Sequence, residues 1–251
     1  MTSGWTVLRK EDKPLAEVFS TSYVATTTDA ARPVTFVFNG GPGASSAYLH
    51  VGLVGPRRVD IPADGTMPVP PPRLVHNDES WLAFTDLVFI DPVGTGFSRL
   101  IDPPPGQGKD DAADPHEYFS TARDLQAMCE FIRRWLSDNS RWGAAVLIAG
   151  ESYGGYRVGR LTRLLQETGV VLSGSILISP ALEPAHLSTF FGWGDYNIVP
   201  WIDVLPTMAA AAAHHGRSRA FPPGTPVEEV QAAARSSRPG PTPRSSPAAA
   251  A

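Results

Sequence analysis

The chain has one cysteine, Cys129, among its 251 residues, so no disulfide can form within it. It has no apolar run of the about 18 residues that a membrane-spanning helix requires. Its opening, Met1 to Lys10 followed by further charges, has no apolar stretch of signal-peptide length. Strong charge of either sign is also missing. The net charge is −4 and the pI about 5.9, with arginines scattered among acids rather than clustered. These absences exclude a disulfide-stapled scaffold and give no reason to expect nucleic acid or an anionic membrane as partner. The expectation is a cytoplasmic protein; oligomeric state is unreadable from the sequence.

The chain has enough apolar residues, 42%, for a sizeable core, and abundant proline and glycine, 25 and 23, for many turns. Its length suits one large domain or two small ones. Four short apolar runs, Val34–Phe38, Leu87–Ile90, Ala145–Ala149 and Ser175–Ser179, each end at a turn signal and read as buried strands. Continuous rather than alternating apolarity suits strands covered on both faces, as in a parallel sheet. Between the second and third runs, Tyr118, Ala122, Leu125, Met128, Ile132 and Trp135 recur at helical spacing, with Arg123, Asp124, Arg133 and Arg134 placed off that stripe. A second helix is expected from Gly155 to Gln166. Strand, helix, strand, helix, strand is the α/β pattern. Pro68–Pro72 and Pro103–Gly108 interrupt these elements, and the first reads as a stiff surface loop in preference to a Pro-x-x-Pro recognition motif. Arg235–Ala251 holds only Arg, Ser, Pro, Gly, Thr and Ala, and such a segment buries too little apolar surface to offset its ordering entropy.

Gly150-Glu151-Ser152-Tyr153-Gly154 fits Gly-x-Ser-x-Gly. The string alone is a weak signal; its context makes it strong, because it follows an apolar strand directly and opens a helical segment. A tight strand-to-helix turn lifts a serine hydroxyl clear of the sheet and sets it at a helix N-terminus, where developing negative charge is favoured. Acyl transfer also needs two backbone N–H groups aimed at the oxyanion. Tyr153, the residue after the serine, supplies one. Asn39-Gly-Gly-Pro-Gly43, directly after the strand Val34–Phe38, is placed to supply the other, since glycines admit a substrate carbonyl close to the main chain. A phosphate-cradling loop is disfavoured, because neither Gly-x-Gly-x-x-Gly nor Gly-Lys-Ser/Thr is present.

With these residues in view, the chain resembles the serine carboxypeptidases. Asn39-Gly-Gly-Pro-Gly-Ala-Ser-Ser46, Asn77-Asp-Glu-Ser-Trp81, Asp91-Pro-Val-Gly-Thr-Gly-Phe-Ser98 and Gly150-Glu-Ser-Tyr-Gly-Gly155 occur in that family's order and approximate spacing, over about Val34 to Ser179. The resemblance implies an α/β-hydrolase fold, with a mostly parallel sheet flanked by helices. It implies release of C-terminal residues from peptides through an acyl-enzyme on Ser152, without metal or organic cofactor. It also implies an oxyanion hole from the amides of Gly41 and Tyr153, and a grip on the substrate's C-terminal carboxylate by Asn39 and Glu151. Glu151 can grip a carboxylate only when protonated, which would favour acidic pH. Leu53-Val54-Gly55-Pro56 departs from the family, being apolar where an acidic residue is usual, and weakens the case for that acid optimum. Ala44 stands where the family has a cysteine, and Asp91-Pro92 is one residue shorter than the family's Asp-Gln-Pro.

A serine needs a histidine to take its proton and an acid to hold that histidine, in chain order Ser, Asp or Glu, His. After Ser152 the histidines are His186, His214 and His215, and the nearby acids Asp195 and Asp203 fall in what reads as a cap, with a cap helix at Met208–Ala213. No convincing Asp–His pair results. The expected organisation is therefore a hydrolase core over 1–182, incomplete at its C-terminal end, the start of a helical cap over 183–234, and a disordered tail over 235–251. The abrupt change at Arg235, just after a helix-like Val227–Ala234, points to a truncated or frame-shifted reading frame. Two other functions stand beside the carboxypeptidase: an esterase or acyltransferase using the same serine, and a catalytically inactive remnant.

Overall fold

The computed structural model describes residues 1–10, 13–26, 31–102, 115–183 and 199–237. It divides into two compact units, Met1–Leu182 and Glu183–Ala251.

In the first unit, β1 (Thr2–Lys10) and β2 (Lys13–Tyr23) form an antiparallel hairpin, and β3 (Val34–Phe38) is buried at every position. A short α1 (Ala47–Leu49) continues as a π-helical stretch, His50–Val54. β4 (Arg57–Val59) and β5 (Leu74–His76) make a small antiparallel ribbon whose connection contains Pro68–Pro72, with Val69 fully in solvent. Then follow β6 (Asp86–Ile90), β7 (Arg99–Leu100), α2 (Pro115–Tyr118), α3 (Thr121–Asp138), β8 (Val146–Glu151), α4 (Tyr153–Glu167) and β9 (Leu172–Ile178). The main sheet runs β1-β2-β6-β3-β8-β9, with β7 on β2. Its pairings from β6 through β3 and β8 to β9 are parallel; β2 meets β6 antiparallel. The fold is therefore α/β with a mostly parallel sheet, as the four apolar runs led one to expect, and it is the α/β-hydrolase sheet that the resemblance implied.

Three details differ from the sequence reading. The hairpin β1–β2 gave no strong apolar run, because β1 buries only Leu8 and the buried positions of β2 include Ser20, Thr21 and Ser22. β9 alternates half-buried and exposed, so it is not covered on both faces as β3 and β6 are. The stripe on α3 is wider and shifted: Ala122 is exposed and Tyr118 belongs to α2, whereas Arg123 is buried and Asp124 largely covered.

α3 is started by Ser120, whose side-chain oxygen accepts the Arg123 amide at 3.2 Å. Its inward face, Leu125, Met128, Phe131, Ile132 and Trp135, joins Phe36 and Ile148 of the sheet and Val158 and Leu161 of α4 in the larger core cluster. Each such side chain removed from water contributes about 1.5–3 kcal/mol. On the sheet's other face, Val37, Leu87, Phe89 and Ala149 join Leu49 and Val54. The second unit contains α5 (Val199–His214) and α6 (Val227–Ser236). Both expected helices are present there, and α6 carries Arg235 and Ser236, which the sequence had assigned to the tail. His186, Asp195, Pro103–Gly108 and residues 238–251 lie outside the described residues.

Candidate active site

The parallel strands β3, β6 and β8 end at one edge of the sheet, and the turns that follow them carry the singled-out residues. After β8, Ser152 has φ 57° and ψ −121°, a backbone conformation that side-chain-bearing residues rarely adopt. The bend is pinned from the neighbouring strand: the Ser152 amide donates to the Ile178 carbonyl at 3.0 Å, and the Ser152 carbonyl accepts from Gly155 and Ala181. Ser152 occupies the N-cap position of α4, where a serine ordinarily spends its hydroxyl on a backbone amide, yet its side chain makes no capping bond. Ser152 is only partly buried, and its hydroxyl is left available for other chemistry.

Glycines allow this crowding. A Cβ on Gly150 would sit 2.2 Å from the Gly154 carbonyl oxygen, and one on Gly155 would meet Pro180. Gly40 lies directly against the elbow: its absent Cβ would be 2.6 Å from both the Tyr153 nitrogen and the Glu151 oxygen. The loop after β3 thus lies beside the bend after β8, with Gly41 exposed at φ +104°.

Asn39 is buried, 2% exposed. Its carboxamide nitrogen donates to Glu151 Oε2 at 3.1 Å, and its carboxamide oxygen accepts the Leu49 amide at 3.0 Å. The structure therefore brings Asn39, Gly41, Glu151, Ser152 and Tyr153 together from segments more than a hundred residues apart. A cavity of about 340 Å³ opens on the Tyr153 side of this group, walled by Pro42, Gly43, Phe119, Asp124, Tyr153 and Arg157.

The other motifs turn out to be clasps. Asp91 Oδ1 accepts the Ser46 amide at 2.8 Å, and the Ser46 hydroxyl donates to the Ile90 carbonyl. The Ser98 hydroxyl donates to the Asp91 carbonyl at 2.6 Å and accepts the Phe19 amide. Burial pushes the Asp91 carboxyl above its ordinary value, with the Ser46 and Phe97 amides pulling against it. Asn77 Nδ2 donates to the carbonyls of Leu53 and Gly55, and Ser80 Oγ to that of Val54, tying down the π-helical turn. That turn occupies the apolar stretch noted above, with Leu53 exposed and Val54 buried.

Sequence reasoning missed Arg157 and Asp124. Arg157 is 2% exposed, its Nη1 donates to the Asn39 carbonyl at 2.9 Å, and its Nε and Nη2 donate to Asp124 at 2.9 and 3.3 Å. The available signal was an arginine on the stripe Gly154, Val158, Leu161, Leu165 of α4. Among the described residues, no histidine nitrogen hydrogen-bonds the Ser152 hydroxyl. His50 instead pairs with the Tyr23 hydroxyl at 2.8 Å and stacks on Phe89, and burial lowers its pKa. Among the described residues there is also no cluster of side chains suited to a metal ion.

Comparison with known proteins gives a consistent picture. The profile of the family described as serine carboxypeptidase matches residues 2–186. Serine carboxypeptidase-like 36 of Arabidopsis thaliana is 31% identical over 157 residues, covering 60% of this chain and 29% of the relative. Pheromone-processing carboxypeptidase kex1 of Sclerotinia sclerotiorum is 30% identical over 132 residues, covering 51% of this chain and 18% of its own length. In structure, the chain is similar to Kex1(delta)p, a prohormone-processing carboxypeptidase from Saccharomyces cerevisiae, with a TM-score of 0.55 at 20% identity, covering 93% of this chain and 52% of that one. The chain thus spans less than a third of these curated relatives and about half of the solved one.

Proposed function

The chain belongs to the serine carboxypeptidase family, and on that footing we propose that it carries the nucleophile and oxyanion-binding half of a carboxypeptidase site acting on peptide C-termini. Ser152 is the nucleophile. Its oxygen adds to the carbonyl of the last peptide bond, the amides of Gly41 and Tyr153 receive the oxyanion, and the leaving residue's carboxylate sits against Asn39 and Glu151. The observation that carries this reading is the bend at Ser152 with Gly40 packed on the Tyr153 amide. It sets the hydroxyl free of capping duty and brings both proposed donor segments to it, and preorganised donors of this kind supply the largest single share of acyl-transfer catalysis. The hydrogen bond from Asn39 to Glu151 supports the carboxylate site, since it joins the two groups that would grip it.

Among the described residues no histidine stands at the Ser152 hydroxyl to serve as its general base. Without such a base the Ser152 hydroxyl is a weak nucleophile. The 251-residue chain is therefore expected to react slowly with a fluorophosphonate, at Ser152 alone, and to react faster when free imidazole supplies the base. Intact-mass spectrometry and peptide mapping measure this. Labelling that persists in Ser152→Ala, or a native chain inert even with imidazole, would sink the proposal. Blocked dipeptides set against simple esters then separate carboxypeptidase from esterase chemistry.

A further inference from the structure

We propose that Arg157 is a positioning residue for the oxyanion hole, fixing the Asn39 loop against the Tyr153 segment while Asp124 holds its guanidinium in place. The inference rests on the reading of Ser152 as an acyl-transfer nucleophile, and goes beyond it in naming what sets the donors' geometry.

Arg157 is the largest fully buried side chain in the described residues. The rest of the inward face of α4 is glycine, valine and leucine, so packing alone gives no reason for a guanidinium there. A buried guanidinium is tolerated only when paired and hydrogen-bonded. Here three of its nitrogens are engaged. Nε and Nη2 make a forked contact with the Asp124 carboxylate, and Nη1 donates to the Asn39 carbonyl at 2.9 Å. Its plane lies near the Phe38 ring, 5.4 Å from the centroid, and the Tyr153 ring, 5.2 Å away.

The consequence follows from peptide planarity. The Asn39 carbonyl and the Gly40 N–H belong to one rigid plane, so fixing the direction of one fixes the other. Gly40 is the residue that touches the Tyr153 nitrogen, and Gly41, next along, is the proposed first donor. One side chain therefore grips the peptide leading into the first donor and lies against the ring of the residue that supplies the second. Asp124 neutralises its charge, so its contribution is geometric. The pair with Asp124 joins α3 to α4, and it is the third contact that reaches the loop after β3.

The test compares the native chain with Arg157→Met, Arg157→Lys and Asp124→Asn. Benzeneboronic acid, whose boron takes the Ser152 oxygen while the proton passes to solvent, reports tetrahedral binding by calorimetry. N-benzoylphenylalanine, a product-like carboxylate, reports ground-state binding. Arg157→Met is expected to weaken the boronate by about tenfold or more, since an ångström of misplacement costs on the order of a hundredfold, and to weaken the carboxylate several-fold less, because the Asn39 side chain keeps its own bonds to Glu151 and the Leu49 amide. Arg157→Lys should recover part of the loss, and Asp124→Asn should fall between. Equal loss for both ligands, or an unchanged boronate affinity in a folded Arg157→Met, would overturn the proposal. Should Arg157→Met fail to fold, Asp124→Asn and Arg157→Lys carry the comparison under the same criteria. If the native chain binds boronate no better than Ser152→Ala, the hydrolase reading itself falls. Amide exchange at Gly40 and Gly41 by NMR then decides the positioning role separately: faster exchange in the variants than in the native chain supports it, and unchanged rates overturn it.

Discussion

The α-carbon of Gly40 faces the amide of Tyr153 so closely that a single added methyl group would lie 2.6 Å from that nitrogen. The neighbouring atoms it would meet, the Glu151 oxygen and the Gly154 nitrogen, are backbone as well. None is the end of a flexible side chain that could move aside.

Gly40→Ala therefore has to push the Asn39–Gly43 loop away from the elbow. Overpacking of this kind costs about 1–3 kcal/mol. The expected outcome is a modest fall in the urea midpoint together with a much larger fall in the imidazole-assisted labelling of Ser152. Equal labelling of native and variant chains would show that the loop does not serve the serine.

Asp86 anchors the opposite end of the sheet. Its Oδ1 accepts from Arg32 Nε at 2.8 Å and from the Ala25 amide at 2.9 Å, and its Oδ2 from Arg141 Nη1 at 2.6 Å. Burial alone would raise its pKa, but the hydrogen bonds from Arg141, Ala25 and Arg32 outweigh it and hold the carboxyl below its ordinary value. Removing one partner of a buried pair costs about 3–5 kcal/mol, so Asp86→Ala is expected to lose that much in denaturant unfolding. A folded-state value below the unfolded one means the stabilisation is present above about pH 4. It disappears as the pH falls through the lowered folded value. Urea midpoints between neutral pH and pH 3 should decline in the native chain and decline less in the variant.

Asp91 has the reverse dependence. Its carboxyl is raised by burial, so the folded state holds the proton more tightly than the unfolded one. Its contribution favours folding at low pH and weakens as the pH rises from the unfolded toward the folded value. Asp91→Asn should flatten stability across the mildly acidic range. Asp91→Ala should cost about 1–3 kcal/mol, because the Ser46 amide is left without its acceptor. Urea unfolding at a series of pH values measures both.

Cys129 is buried on α3, its Sγ 3.2 Å from the Thr168 hydroxyl, and burial pushes the thiol's pKa up. The thiolate is the reactive form. Iodoacetamide should therefore leave the native chain unmodified on a timescale on which the urea-unfolded chain is fully alkylated, as read by mass. Rapid native alkylation would show that α3 opens locally.

The elbow half of the site could be read directly because its parts are contiguous. The elbow is one unbroken segment, strand then bend then helix, and its glycines and serine declare the turn without help from elsewhere. β3 and β6 announced themselves because strands buried on both faces must be apolar throughout. Helix α3 was recognised but its face was misjudged: periodicity places charges on the solvent side by default, and it cannot foresee that Asp124 will meet an arginine 33 positions away.

The residue sequence by itself therefore determined the presence of a parallel sheet, the bend after β8 and the serine at its apex, since each depends on short-range sterics and apolar patterning. Only the tertiary structure decided that Asn39 would bond Glu151, that Gly40 would press on the Tyr153 amide, and that Arg157 would reach the Asn39 carbonyl 118 positions away. Those contacts depend on the order in which strands β3, β8 and β9 lie side by side. Hydrogen bonds between segments leave no trace in the local pattern of either one, so the polar groups look solvated until the sheet brings them together.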